Sequence, residues 1–230
     1  MTRYFAIVPA AGSGRRMGAE RPKQYLDLCG KPLLWHALTA LAGVTRIHTV
    51  FVVLSPEDDW WGRFDWSGFG SRLQVLRVGG ETRAQSVGNA LRSIFAQVAA
   101  EDWMLVHDAA RACLSVAQVE ALIDALTDDP VGGLLAQPVA DTLKRADKAA
   151  RVVETVTRDA LWQAQTPQMF RHGLLSRALA QCPGVTDEAG AVEALGLAPR
   201  LVAAEAPNFK VTYPQDLALA ELILQARSKS

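Results

Sequence analysis

The chain has 230 residues, half of them hydrophobic, and its 24 lysines and arginines are balanced by 24 aspartates and glutamates. That length and apolar content suit one globular domain with a substantial core, and the neutral balance excludes bulk attraction to nucleic acid or to a membrane surface, so any anion site must be local. Cys29, Cys113 and Cys182 stand far apart without a CxxC pair, which speaks for reduced core thiols and against a disulfide framework or a zinc site. With no signal-like or membrane-length apolar stretch in view, a cytoplasmic protein is expected.

Short apolar runs at 4–9, 48–54, 73–78, 103–107 and 131–136 read as strands, and segments of helical period at 33–42, 83–98 and 116–126 lie between them. This alternation predicts an α/β fold: a Rossmann-like, mostly parallel twisted sheet with helices on both faces. In such sheets ligands sit outside the carboxyl ends of the strands. The three tryptophans Trp60, Trp61 and Trp66 read as one face of a surface helix. Between Pro138 and Arg158 the pattern breaks, because charged residues alternate with Val152, Val153 and Val156. Residues 138–158 therefore read as a projecting β-arm, either a solvated hairpin or an arm whose edges a second subunit covers. Helices near 173–180 and 187–195, a strand at 200–204 and a closing helix at 214–227 complete the single 1–230 domain; Thr186 reads as a helix N-cap, and Lys210 falls in a short apolar strand where its charge must snorkel or meet an anion.

Directly after the first strand stands Pro9-Ala10-Ala11-Gly12-Ser13-Gly14-Arg15-Arg16-Met17-Gly18, followed by Pro22-Lys23-Gln24. Small residues let backbone N–H groups approach an anion, and the cations supply charge around a triphosphate. Glycines alone would also fit a plain strand exit. Arg15, Arg16 and Lys23 would repel one another unless an anion lay between them. Walker A is absent, and Met17 stands where a dinucleotide-binding fingerprint needs its third glycine. The second strand ends in Leu54-Ser55-Pro56, without the acidic residue that would hold an NAD ribose. A nicotinamide dehydrogenase is disfavoured on both counts.

Further motifs follow in order: Gly79-Gly80-Glu81-Thr82-Arg83-Ala84-Gln85-Ser86-Val87, Val106-His107-Asp108-Ala109-Ala110-Arg111, Pro138-Val139-Ala140-Asp141-Thr142-Leu143-Lys144, Thr166-Pro167-Gln168-Met169-Phe170, Thr186-Asp187-Glu188-Ala189 and Asn208-Phe209-Lys210-Val211-Thr212. Together with the loop, this set resembles the nucleotide-diphospho-sugar-type nucleotidyltransferases and, over nearly the whole chain, the 2-C-methyl-D-erythritol 4-phosphate cytidylyltransferase family. That family usually has proline where this chain has Ala112.

The resemblance implies a cytidylyltransferase that moves CMP from CTP to 2-C-methyl-D-erythritol 4-phosphate in non-mevalonate isoprenoid precursor synthesis, with magnesium or another divalent cation and a homodimer joined through the arm. A cytidylyltransferase for another polyol phosphate, such as ribitol 5-phosphate, and a non-catalytic nucleotide-binding module are the rivals. Nucleotide contacts are expected from Pro9, Ala10, Ala11, Gly12, Gly14, Gly79, Gly80, Arg83, Ser86 and Ala109. Arg16, Lys23 and Lys210 would stabilise charge at phosphorus. Asp108 can hold magnesium, directly or through water, or a substrate hydroxyl. Arg111 binds substrate or pairs with Asp108; Thr166 and Thr186 would close over the acceptor, and Thr142 and Arg158 would reach the acceptor phosphate in the partner's site. His107 reads as a packed strand residue.

Overall fold

The computed structural model describes residues 2–12, 21–204 and 207–228. Its frame is a seven-stranded sheet built from β1 (Tyr4–Pro9), β4 (Ile47–Val53), β5 (Leu73–Leu76), β6 (Trp103–Val106), β7 (Gly132–Pro138), β10 (Trp162–Arg171) and β11 (Arg200–Ala203). The strands lie in the order β11-β7-β10-β6-β1-β4-β5. Two short hairpins stand apart from it: β2 (Asp27–Leu28) with β3 (Lys31–Pro32), and β8 (Leu143–Ala146) with β9 (Val152–Val156). The second is the arm, and it leaves the frame as expected.

Alternation along each strand divides the core in two. Ala6, Val8, Val50, Val52 and Leu105 face α1 (Leu33–Gly43) and α3 (Val116–Leu126), whereas Phe5, Ile7, Phe51, Val53 and Met104 face α2 (Arg83–Ser93), α4 (His172–Gln181) and α5 (Glu188–Glu193). Both faces being covered explains why β1 and β6 are unbroken apolar runs. The closing helix α6 (Pro214–Arg227) instead packs through Ala220, Leu217 and Leu224 on Leu28, Leu33, Ala110, Ala112 and Cys113. It thus lies against the loops at the mouth of the sheet. Capping boxes at Thr82 with Gln85 and at Ser115 with Gln118 start α2 and α3, each satisfying donors that a helix end leaves open.

Several expectations need correction. β10, the longest strand, is absent from the sequence reading, and it runs antiparallel between β6 and β7 in an otherwise parallel sheet. Asp187, not Thr186, caps α5, accepting from the N–H of Gly190 at 3.0 Å. Lys210 lies in irregular chain, not in a strand. The tryptophans sit in or beside two 3-10 turns, where Trp61 and Trp66 stack with centroids 4.1 Å apart. Only Cys113 is a core thiol, its pKa pushed up to about 11 by burial; Cys29 is exposed and Cys182 half-buried.

Candidate active site

The carboxyl ends of β1 and β6, with the loop after β5, open into a cleft of about 830 Å³. Its floor is Pro9, Ala10, Ala11 and Gly12; one wall is Gly80 to Arg83 with Ser86, and the other is Asp108 to Ala110 with Lys210 and Thr212. Lys23 and Gln24 complete it. Cationic side chains from distant parts of the chain therefore converge on one mouth. Gly14, Arg15 and Arg16 lie outside the described residues.

The loop after β1 is anchored from two sides. Ala10 donates its N–H to Val53 O at 2.8 Å, and the buried Gln24 amide donates to Ala10 O at 2.7 Å. Gly79 is required where the loop after β5 crosses this floor: a Cβ there would stand 2.3 Å from the Ala11 Cβ and 2.7 Å from Leu54 O. Gly79 supports the cleft from behind rather than lining it. Gly80 donates its N–H to Ser86 Oγ at 3.0 Å, and that hydroxyl donates to Thr82 O at 2.9 Å. Both of these anchors were legible only as motif letters.

Lys23 opens a 3-10 turn whose third residue, Tyr25, is fully buried. Tyr25 stacks on Phe64 at 5.6 Å and on Trp60 at 6.4 Å, and its hydroxyl donates to Asp58 at 2.8 Å. The tryptophan-bearing segment is thus the anchor of the Lys23 turn. From that turn, Lys23 Nζ donates to Val211 O at 2.8 Å, and Val211 N–H donates to Ala110 O at 2.9 Å. Three separate segments are tied together at the mouth.

Asp108 stands at its centre. Its Oδ1 accepts from Arg83 Nε at 2.7 Å and its Oδ2 from Lys210 Nζ at 2.7 Å. Burial pushes this carboxyl upward, but the charges of Arg83 and Lys210 outweigh it and hold it well below the usual carboxylate range. Arg83 continues inward to Glu188, meeting it at 2.6 and 2.9 Å. Burial pushes Glu188 up while Arg83 pulls it down, with a net upward shift. Arg83 donates through both terminal nitrogens, the fork that a charged carboxylate accepts, so we take Glu188 as ionised.

The Asp108 loop rests on His107 and Thr166, both buried. His107 Nε2 lies 3.1 Å from Arg111 O, which only accepts, so Nε2 carries the proton. Nδ1 then accepts from the Thr166 hydroxyl at 3.0 Å, while Thr166 Oγ1 accepts the Asp108 N–H at 3.0 Å. His107 is neutral, its pKa lowered to about 4 by burial, against the pull of Asp108. Arg111 does not pair directly with Asp108; it donates to Asn208 O at 2.8 Å and to Ala164 O at 3.3 Å. Asn208 in turn donates to Gln165 and to Thr166 O, clipping the Lys210 segment to β10.

Arg111, Thr166 and Gly79 hold the cleft together without lining it, whereas Thr186 is exposed ahead of α5. Thr142 and Arg158 lie at the root of the arm, Arg158 donating to Ala140 O, and neither lines this chain's cleft. Gln24, Asn208 and Glu188 are the participants that sequence reasoning left without a role. Among the described residues no three His, Cys, Asp or Glu side chains cluster as a protein-built metal cage would need. One buried carboxylate facing an anion cleft does suit magnesium, which takes few protein oxygens and completes its shell with phosphates and water.

Residues 4–226 match the family model described as 2-C-methyl-D-erythritol 4-phosphate cytidylyltransferase. A relative of that name from Dechloromonas aromatica is 62% identical, with 99% of this chain and 100% of that one covered; one from Nitrosomonas eutropha is 58% identical, with 99% of each covered. A crystal structure of a 4-diphosphocytidyl-2C-methyl-D-erythritol synthase superposes with a TM-score of 0.86 at 40% identity, over 97% of this chain and 100% of that one. A 2-C-methyl-D-erythritol 4-phosphate cytidylyltransferase from Thermus thermophilus gives 0.79 at 32% identity, over 98% and 100%.

Proposed function

The chain belongs to the 2-C-methyl-D-erythritol 4-phosphate cytidylyltransferase family, and from that premise we propose that it transfers CMP from CTP to 2-C-methyl-D-erythritol 4-phosphate. The products are 4-diphosphocytidyl-2-C-methyl-D-erythritol and pyrophosphate, a step of non-mevalonate isoprenoid precursor synthesis carried out in the cytoplasm. The observation that carries the reading is the convergence of Lys23, Lys210 and the Asp108 loop on one cleft floored by small residues.

The acceptor's phosphate oxygen attacks the α-phosphorus of CTP; a new P–O bond forms as the bond to pyrophosphate breaks. A phosphate monoester is already anionic near neutral pH, so no general base is required. The work is charge management. Lys23 and Lys210 supply it from opposite chain segments, with Arg16 assigned the same task. An ammonium has three donors, so Lys210 can turn from Asp108 to an arriving phosphate. Magnesium, held through Asp108, would neutralise phosphate charge.

Pro9, Ala10, Ala11, Gly12, Gly14, Gly80 and Ala109 cradle the nucleotide, with Gly79 and Arg83 setting the wall. Ser86 Oγ already accepts one N–H and retains a second lone pair, suited to the amino group of cytosine. The acceptor is held by Asp108 and Thr186, and Arg111 and Thr166 keep the Asp108 loop in place. Val152 and Val153, each 64% exposed on the arm, favour a second copy covering it, which brings Thr142 and Arg158 to the partner's cleft as grips for the acceptor phosphate.

Incubation with CTP, magnesium and methylerythritol phosphate, with pyrophosphate measured and the nucleotide product identified by mass, tests this. Turnover with methylerythritol phosphate well above that with ribitol 5-phosphate is expected. Equal rates, or a preference for ribitol 5-phosphate, would overturn the acceptor; nucleotide binding without pyrophosphate release would overturn the enzyme.

A further inference from the structure

The reaction proposed above gives Glu188 no task, yet this carboxylate is 0% exposed. Removing it from water is costly, and buried ion pairs are often no better for stability than well-packed apolar groups. A stability role is therefore a weak explanation. Its place in the charge sequence suggests another. From interior to cleft the order is Glu188, Arg83, Asp108, Lys210, with side-chain exposures of 0%, 24%, 10% and 45%.

The geometry of Arg83 is decisive. Each terminal nitrogen gives an N–H to Glu188, at 2.6 and 2.9 Å, which fixes the guanidinium in an orientation where Nε, at 2.7 Å, meets Asp108 Oδ1. A planar guanidinium prefers to grip a carboxylate with two parallel bonds. Without Glu188, the guanidinium would be free to turn and close two N–H groups on both oxygens of Asp108. With Glu188, Asp108 keeps Oδ2 turned to Lys210 and the cleft. Glu188 is itself fixed: the neighbouring Ala189 N–H donates to Gln168 Oε1 at 2.7 Å, and Gln168 Nε2 donates to the Asp187 cap at 2.9 Å. Gln168 belongs to β10, which pairs with β6, the strand that ends two residues before Asp108.

We infer that Glu188 is a positioning residue for the transfer reaction: by holding the fork of Arg83 it leaves one oxygen of Asp108 available, to Lys210 and, during turnover, to the acceptor. This rests on the proposed cytidylyl transfer with Asp108 on the acceptor side.

The test is Glu188→Gln, which keeps size and one acceptor oxygen but removes the charge that binds the fork. Steady-state kinetics are measured against each substrate in turn, beside the thermal midpoint. The expected result is a fall of about tenfold or more in kcat/KM for methylerythritol phosphate, with KM for CTP held within about twofold. Unchanged kcat/KM for the acceptor, or a parallel loss for both substrates, overturns the inference. Should this variant fail to fold, Glu188→Asp replaces it: it keeps the charge but draws the carboxylate back from the guanidinium by one methylene, and the same split or its absence decides. A wild-type chain that releases no pyrophosphate overturns the reaction, and the inference with it. A wild-type chain that turns over beside an unaffected Glu188→Gln overturns the inference alone.

Discussion

Replacing His107 by asparagine should flatten part of the acid limb of the stability profile. His107 is fully enclosed and neutral, with an ordinary value of 6.5 lowered to about 4. Burial is the main cause; the nearby Asp108 charge and the bonded carbonyl of Arg111 oppose it. In the unfolded chain the ring takes up a proton near 6.5, so between that pH and about 4 the unfolded state binds more protons, and stability declines as pH falls. Above pH 6.5 this penalty is absent, and below about 4 it is complete. At about 1.36 kcal/mol per unit, the penalty is about 2 kcal/mol by pH 5 and about 3 kcal/mol at its limit. Urea unfolding of wild type and His107→Asn at pH 7, 6 and 5 measures it. The variant is less stable at pH 7 because it loses packing and a hydrogen bond, but the gap should narrow by about 2 kcal/mol at pH 5. A gap that stays constant with pH would refute the assignment of a neutral, acid-resistant ring beneath Asp108.

Lys210→Ala should lower kcat by about 10²-fold or more while KM for CTP changes little, because its charge is needed as phosphorus is attacked; a change confined to KM, in steady-state assays, would remove it from catalysis. Lys23→Ala should behave alike. Gly79→Ala forces a methyl group against the Ala11 Cβ and Leu54 O, so denaturant unfolding should register a loss of about 1–3 kcal/mol; an unchanged midpoint would contradict the crossing. Val152→Asp combined with Val153→Asp should yield monomers by sedimentation and depress turnover, since Thr142 and Arg158 then lose their target; a fully active monomer would end the shared-site proposal.

Much of the frame was legible because a strand covered on both faces has to be apolar throughout, as β1 and β6 are and as β4 is from Val50 onward. β10 escaped because Gln163, Gln165, Pro167 and Gln168 interrupt its apolar character. Two of those amides are satisfied tertiarily, by Asn208 and Asp187, and the ladder to β7 skips between Ala164 and Gln168. No local pattern encodes such partners. The unassigned stretch before α4, holding the Thr166 motif, was the available signal. At the site, Lys23 and Lys210 were readable as charges in company that demands an anion. Glu188 was not, since an acidic residue in the first turn of a helix ordinarily answers the helix dipole. Thr166 was read as an acceptor contact, while in three dimensions its hydroxyl is taken up by His107 and the Asp108 amide.

The reversed strand has a consequence for how such a molecule can change over time. Because β10 runs against its neighbours, it enters the sheet where β7 leaves: Pro138 faces Trp162, and Val139 bonds to Leu161 O at 3.0 Å. Both stems of the arm are therefore already side by side, and lengthening or shortening it adds little closure entropy. The tip of the arm can therefore change in length and sequence while the seven strands of the trunk keep their register. If the proposed shared site holds, only the root of the arm, where Thr142 and Arg158 stand, is tied to the chemistry, and lineages are free to redraw the rest.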